Sequence, residues 1–299
     1  MTSHNGPSRP RLLGLVDAAA CPARIQPLLK QSGTTFRSVF AGLPEEALGP
    51  ASLFLARIDD PDASWVQELD QIDLHSPCMS LIWSRVSLDD MVTHLRAFLF
   101  ADIGDSMTAM IRFFDPRNTG AIVSVWGDQI RDIFMAPIDR WMYRGRHKEW
   151  QRIENDALSG SRICKSIMIQ LEDADLDALT EHTEPDELLA SLIQLGLIDE
   201  ERPYLARFTD FLPRYQRASQ WGLTEPSDRL NFCRHTYLYG LDFDRHLRVH
   251  HALSERVATG ESYVAVTGRI PPHVWEDLAR RHEAQTNGSS TTANTGEAR

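Results

Sequence analysis

The sequence predicts two structural classes in succession: an α/β N-terminal lobe built on a largely parallel sheet, then an all-α C-terminal lobe. Strand-like and helix-like patterns alternate four times up to residue 146, as they do in βαβ units. Beyond residue 147 the periodicity is helical, and glycines stand where helices should end. A chain of 299 residues also suits about two domains of roughly 100–200 residues each.

Short apolar runs predict the strands of the N-terminal lobe. We place them at residues 12–17, 52–58, 78–83, 107–114 and 138–144, the last at the sheet edge. The clearest helix covers residues 87–100, because its apolar residues recur at the i, i+3, i+4, i+7 spacing of one helix face. Ser87 and Asp90 resemble a capping box at its start. A further helix is predicted over residues 22–30.

Helical periodicity and start signals define the C-terminal lobe. The predicted helices cover residues 175–183, 185–195, 203–221, 227–239, 245–258 and 272–281. The polar, proline-containing residues 1–10 are interpreted as a flexible arm, and the Ser/Thr/Asn/Gly-rich residues 286–299 as a disordered tail. The predicted domains are therefore an α/β domain over residues 11–146 and a helical lobe over residues 147–285.

Composition limits the function classes. The formal net charge of -11 argues against nucleic acid or an anionic membrane as the main partner, because both attract an excess of Lys and Arg. The four cysteines are scattered without a CxxC pair, which favours reduced thiols. The chain opens without a signal peptide and has no apolar run near the ~18 residues that span a bilayer, so we expect a cytoplasmic protein.

The run Arg-Phe-Phe-Asp-Pro-Arg-Asn at residues 112–118 is the most informative local pattern. It is predicted to be a strand end that turns directly into a helix, with Asp115 as the N-cap and Pro116 in the first turn. Arg112, Asp115 and Arg117 would then lie at the carboxyl end of a buried strand, where α/β proteins often place their binding residues. The alternative is purely architectural: Asp115 caps the helix and Arg112 pairs with it.

Aromatic residues and arginines also alternate between residues 140 and 150. Trp141, Tyr143 and Trp150 either form a binding surface, where Trp, Tyr and Arg are enriched, or pack the two lobes together; both interpretations stay open. The candidate partner-binding residues are Arg112, Phe114, Asp115, Arg117, Trp141 and Tyr143. Because one carboxylate satisfies only one guanidinium well, we expect Arg117 to face a partner and Arg112 to support the fold.

Enzyme-like features are weaker. His246 and His250 lie one helical turn apart, with His251 beside them, but the HExxH glutamate is missing, which favours a solvated basic helix face over a metal site. Neither a G-x-S-x-G elbow nor a Gly-rich phosphate loop occurs. We therefore expect no catalytic centre, no metal and no cofactor.

The order of elements, together with the Gly-Leu-Pro-Glu-Glu segment at residues 42–46 and the Arg-Phe-Phe-Asp-Pro-Arg segment, resembles the adaptor proteins, or effector chaperones, of the bacterial type VI secretion system. The resemblance covers residues 11–145. The family pattern often has Tyr where this chain has Phe114, a departure that removes one hydroxyl group.

The resemblance implies a non-enzymatic adaptor. Such a protein binds one cognate effector toxin in the producing cell and helps load it onto the spike protein of the secretion machine. The shared α/β lobe would perform the common task, and the helical lobe would set the choice of effector. The alternative is a hydrolase-like enzyme with a site at the carboxyl edge of the sheet, using Asp115 and a histidine such as His94. The lack of a nucleophile motif makes the adaptor the favoured interpretation.

Overall fold

The computed structural model describes residues 9–155 and 162–292, with side chains as far as residue 285. Residues 1–8 of the predicted arm and 293–299 of the predicted tail lie outside the described residues. The chain forms two compact units. The first runs up to Thr183 and includes Pro203–Leu205; the second comprises Glu184–Arg202 and the residues from Ala206 on. The predicted domain boundary at residue 146 stays a prediction.

Eight strands lie in the described part of the first unit. They are β1 (Arg11–Asp17), β2 (Phe36–Ser38), β3 (Leu53–Ile58), β4 (Met79–Ser84), β5 (Phe100–Asp102), β6 (Thr108–Met110), β7 (Ile138–Tyr143) and β8 (Gln151–Glu154). Six of them form one sheet in the order β2-β3-β1-β4-β7-β8, and β5 and β6 form a separate two-stranded sheet.

The prediction of a largely parallel sheet is wrong. Every neighbouring pair of strands in the six-stranded sheet is antiparallel. Strands β1 and β2 do run in the same direction, as a βαβ unit requires, but β3 lies between them. Strands β3 and β4 are likewise parallel with β1 between them. Two split βαβ units thus interleave, and each fills the gap in the other.

The sheet is buried on both faces, as parallel sheets usually are, although the parallel prediction itself came from the alternation of strands and helices. The last five residues of β1 are all buried, an uninterrupted pattern that is typical of parallel strands covered by helices on both sides. On one face Leu13 and Leu15 pack in the larger core, and on the other Val16 packs in a smaller core. An antiparallel sheet covered on both sides therefore has the same hydrophobic pattern as a parallel one.

The helices of the first unit cover the two faces separately. They are α1 (Pro22–Gln31), α2 (Ser64–His75), α3 (Leu88–Arg96), α4 (Thr119–Val125) and α5 (Gly127–Met135), followed by α6 (Asp173–Gln194), which continues into the second unit. Helices α1 and α2 contribute Ile25 and Leu69 to the smaller core. Helices α3, α4 and α5 contribute to the larger core, for example through Leu95, Ile122 and Phe134. The result is a three-layer arrangement with the sheet in the middle.

Of three local predictions, the N-cap of α3 is confirmed, whereas the sheet edge and the helix break are wrong. Ser87 is the N-cap of α3, and its hydroxyl accepts a hydrogen bond from the Asp90 N–H at 3.1 Å. Strand β7 is not the sheet edge, because β8 pairs beyond it. The predicted break between residues 183 and 185 is absent, since α6 runs through Pro185 as one helix.

The second unit is helical, as predicted. It contains α7 (Tyr204–Gln220, from Ala206 on), α8 (Pro226–Tyr239), α9 (Leu247–Thr259), α10 (Tyr263–Thr267) and α11 (Pro272–Thr292). Its core is built around Phe232, Phe243 and Tyr263, all almost completely buried. Helix α10 was not predicted. Helix α11 extends to Thr292, into the run predicted to be disordered from residue 286.

Among the described residues, we find no helix that is both long and apolar enough to span a membrane. The four cysteines are free thiols; Cys78 and Cys233 are buried, whereas Cys21 and Cys164 are half-buried.

Candidate partner-binding site

The Arg-Phe-Phe-Asp-Pro-Arg segment is a loop in the structure and not a strand end. Strand β6 stops at Met110, and α4 begins at Thr119 with Asn118 as its N-cap. Ile111 and Phe113 are buried in the larger core without belonging to a sheet. Alternating burial alone therefore produced the strand-like pattern, and the prediction that Asp115 caps the following helix is wrong.

Asp115 and Arg117 form a closed ion pair inside this loop. The guanidinium of Arg117 donates from Nε to Oδ1 of Asp115 at 2.9 Å and from Nη2 to Oδ2 at 2.7 Å. The backbone N–H of Arg117 also donates to Oδ1 at 3.0 Å. Burial by itself raises the pKa of Asp115, but the hydrogen bonds and charge of Arg117, with the charge of Arg112, outweigh it and lower the pKa.

Arg112 is the more exposed of the two arginines. Its Nη2 donates to Oδ2 of Asp17 at 2.7 Å and lies 3.8 Å from Oδ2 of Asp115, while half of its side chain remains exposed. Its guanidinium also lies 5.7 Å from the centre of the Phe114 ring. We expected Asp115 to leave Arg117 available for a partner. That expectation is wrong, because Asp115 binds Arg117 and it is Arg112 that keeps exposed donors. Within the described chain, Nε and Nη1 of Arg112 have no acceptor and can bind a partner.

Asp17 is a site residue that the sequence analysis missed. It ends β1, and its Oδ1 accepts a hydrogen bond from the Ala19 N–H at 3.1 Å at the start of a short 3-10 helix. Desolvation by burial raises the pKa of this carboxyl, and the nearby charge of Arg112 opposes that rise. An Asp between an apolar strand and the turn at Ala18–Ala20 was the available sequence signal.

The backbone of the loop is supported from two sides. Gly145 has a φ of +54°, and a Cβ at this position would overlap the carbonyl oxygen of Pro116. On the other side, Nε2 of His182 lies 2.9 Å from the carbonyl oxygen of Arg117, which accepts a hydrogen bond from it. Arg146 in turn donates to the carbonyl of His182. These contacts fix the position from which Arg112 projects.

The aromatic candidates are mostly interior. Trp141 is completely buried and packs against Phe113 and Phe134, with ring centres 6.1 and 5.1 Å apart. Phe114 is only 3% exposed. Tyr143 is half-buried with its hydroxyl beside Gly120, and burial raises the pKa of its phenol. Of the six candidates, Arg112 alone has an exposed side chain, and the structure places Trp141 in the core of the first unit.

The histidines proposed for catalysis or metal binding have other contacts. Nε2 of His94 lies 2.7 Å from the carbonyl oxygen of Phe134, and Nδ1 lies 3.0 Å from the N–H of Cys164. Both ring nitrogens are thus engaged by the backbone, and burial lowers the pKa of His94 to about 4. The His250 ring packs against the Trp221 ring, with the two ring centres 5.3 Å apart. Over the described residues, no group of three or more His, Cys, Asp or Glu side chains is placed to hold a metal.

Part of the first unit matches a known family model. Residues 14–132, less than half of the chain, match the family model described as "Domain of unknown function (DUF4123)". No curated protein and no solved structure matches the chain. The matched region extends from β1 to α5 and contains Asp17, Arg112, Asp115 and Arg117, so the site lies within the matched region.

Proposed function

We propose that the protein is a non-enzymatic cytoplasmic adaptor that binds one cognate type VI secretion effector and helps to load it onto the spike protein. The observation that supports the proposal is the resemblance of the Arg-Phe-Phe-Asp-Pro-Arg segment and of the order of elements to type VI secretion adaptors, together with the match of residues 14–132 to one family model, DUF4123, a domain of unknown function. The Arg-Phe-Phe-Asp-Pro-Arg segment, on which the resemblance depends most, lies inside the matched region.

The geometry of the site supports binding better than catalysis. Arg112 is positioned by Asp17 and by the Phe114 ring, yet it keeps donors that no described residue occupies. A fixed, half-exposed guanidinium is a suitable anchor for a carboxylate of a partner protein. By contrast, the two residues of the hydrolase alternative already have partners: Asp115 binds Arg117, and His94 binds two backbone groups.

Co-expression tests this proposal. The toxin encoded beside the gene of this protein would be expressed alone and together with the tagged protein. We expect the pair to co-purify and the toxin to be more soluble in the presence of the adaptor. In a control co-expression, a toxin encoded elsewhere should not co-purify with the tagged protein. Failure of the neighbouring toxin to co-purify under conditions in which both proteins are folded would contradict the adaptor function.

A further inference from the structure

A groove lies in the first unit between α5 and the chain that leads towards α6. Its volume is about 720 Å³, within the roughly 300–1,000 Å³ typical of ligand pockets. One wall is the exposed side of α5 and the residue after it, and the other wall is the segment 162–167. Its lining residues are Gln129, Asp132, Ile133, Ala136, Arg162, Ile163, Cys164, Lys165, Ser166 and Ile167.

The lower part of the groove is apolar. Ile163 and Ile167 are half-buried and pack against the larger core. Ile133, on the opposite wall, is 37% exposed although its neighbours Phe134 and Met135 are buried. An apolar side chain that displaces water from this aliphatic lining lowers the free energy of the complex.

The segment 162–168 also has free peptide groups. Within the described chain, the N–H of Cys164 is its only backbone donor with a partner. From residue 169 on, the backbone is hydrogen-bonded to β5. The carbonyl of Ile169 accepts from the Asp102 N–H at 2.8 Å, and the Leu171 N–H donates to the Asp102 carbonyl at 3.0 Å. Peptide groups of this kind can pair with an extended peptide from a partner.

The charge at the rim is positive. Arg162 and Lys165 are exposed and form no ion pair with any residue that the structure describes. Asp132, on the opposite wall, already has Arg131 at 3.8 Å. In a chain with a formal net charge of -11, two cations that no described acidic residue pairs with, beside an apolar groove, favour an acidic ligand.

His94 fixes the two walls relative to each other. Its Nε2–H donates to the carbonyl of Phe134 in the last turn of α5, and its Nδ1 accepts from the N–H of Cys164 on the other wall. One neutral tautomer satisfies both contacts, and the ring is completely buried beneath the groove. The width of the groove is therefore set before a partner binds, which reduces the entropy lost on binding.

We propose that this groove binds an extended segment of the effector in which an aliphatic side chain is followed or preceded by a carboxylate. The aliphatic side chain enters between Ile133 and Ile163, and the carboxylate binds Arg162 and Lys165. The proposal rests on the adaptor function proposed above and assigns it a surface on the first unit.

Overlapping peptides covering the toxin encoded by the neighbouring gene would be measured for binding to the full-length protein. We expect one peptide with the stated chemistry to bind, and both Arg162→Glu/Lys165→Glu and Ile133→Asp to weaken capture of the peptide and of the whole toxin at least about tenfold. The matched control is Arg11→Glu/Lys30→Glu, which reverses two exposed cations elsewhere in the same unit that form no ion pair with a described residue. Circular dichroism and thermal unfolding would confirm that all variants fold.

The outcomes separate the two proposals. If the wild-type protein captures the toxin and both groove variants capture it equally well, the groove assignment is wrong and the adaptor function stands. If the wild-type protein captures no toxin, both proposals fall. If light scattering shows that the wild-type protein self-associates and Arg162→Glu/Lys165→Glu abolishes this, the groove binds a second copy of the chain, and the effector assignment is overturned.

Discussion

Asp115 and Arg117 are two residues apart in the chain, and their side chains meet through two hydrogen bonds of 2.9 and 2.7 Å. The carboxylate is 3% exposed and the guanidinium 29% exposed. The chain contains a surface counterpart with the same separation: Arg57 donates to Asp59 at 2.9 Å, but these side chains are 45% and 69% exposed. The two pairs differ in burial and in the further contacts of Asp115 with the Arg117 N–H and with Arg112, so they compare an enclosed pair with an exposed one.

Asp115→Ala should destabilise the protein by about 3 kcal/mol, because removing one partner of a largely buried pair leaves the other charge without compensation. Asp59→Ala should change the free energy of unfolding by less than about 1 kcal/mol, as is usual for exposed pairs. Denaturant unfolding of both variants would measure the difference. Equal effects would show that burial does not determine the strength of the Asp115–Arg117 pair.

Gly145→Ala should destabilise the protein more than Gly33→Ala. The backbone φ is +54° at Gly145 and +68° at Gly33. An alanine in such a left-handed conformation destabilises the folded state by about 1–2 kcal/mol. Space for a Cβ exists at Gly33, whereas at Gly145 it would overlap the Pro116 carbonyl. This steric overlap should destabilise Gly145→Ala by a further ~1–3 kcal/mol. Thermal unfolding would test this, and similar midpoints for the two variants would mean that the Pro116 loop moves aside without cost.

Acidification should destabilise the first unit through His94. Burial lowers the pKa of His94 from 6.5 to about 4, so the unfolded chain takes up a proton as the pH falls below about 6.5, whereas the folded protein does so only near pH 4. The contribution of neutral His94 to the free energy of unfolding is therefore fully present above pH 6.5. It is lost as the pH falls from 6.5 to 4, by roughly 3 kcal/mol in total. His94→Gln should lower stability at pH 7 and flatten this part of the pH dependence.

Unfolding free energies of wild type and His94→Gln, measured from pH 7 down to pH 4, would check the prediction. His251→Gln, which changes an exposed histidine on α9, serves as the control and should follow the wild-type curve. Burial also lowers the pKa of His235, in the second unit, to about 4, so the difference between the two curves is the informative quantity. Parallel curves for wild type and His94→Gln would show that His94 does not contribute to the acid sensitivity.

Arg112→Gln should weaken capture of the neighbouring toxin at least about tenfold, or about 1.4 kcal/mol, while the fold is kept. The reason is that the exposed half of the guanidinium has donors available for a partner. Arg24→Gln is the matched control, since Arg24 is 56% exposed and pairs with Glu68 at 3.2 Å. Binding titrations and circular dichroism would be run on both variants. Unchanged capture by Arg112→Gln would leave this loop with an architectural role only.

Local patterns in the sequence determined much of the secondary structure. The sequence correctly predicted the apolar run of β1, the Ser87 cap of α3 and a glycine at the end of a helix, which is Gly260 after α9. Each depends on residues within one or two turns of each other, so the sequence contains all of the necessary information. The same patterns separated the strand-containing first part of the chain from the helical second part.

Only the tertiary structure decided strand direction, the length of β6 and the partners of the arginines. Hydrophobic periodicity reports which residues are buried, and burial is the same for Trp141 in a core as for an anchor in an interface. The contact between Arg112 and Asp17 joins residues 95 positions apart, whereas Asp115 pairs with Arg117 within the loop. Long-range contacts form only when the strands have assembled, because which charged groups meet depends on the packing of the whole unit.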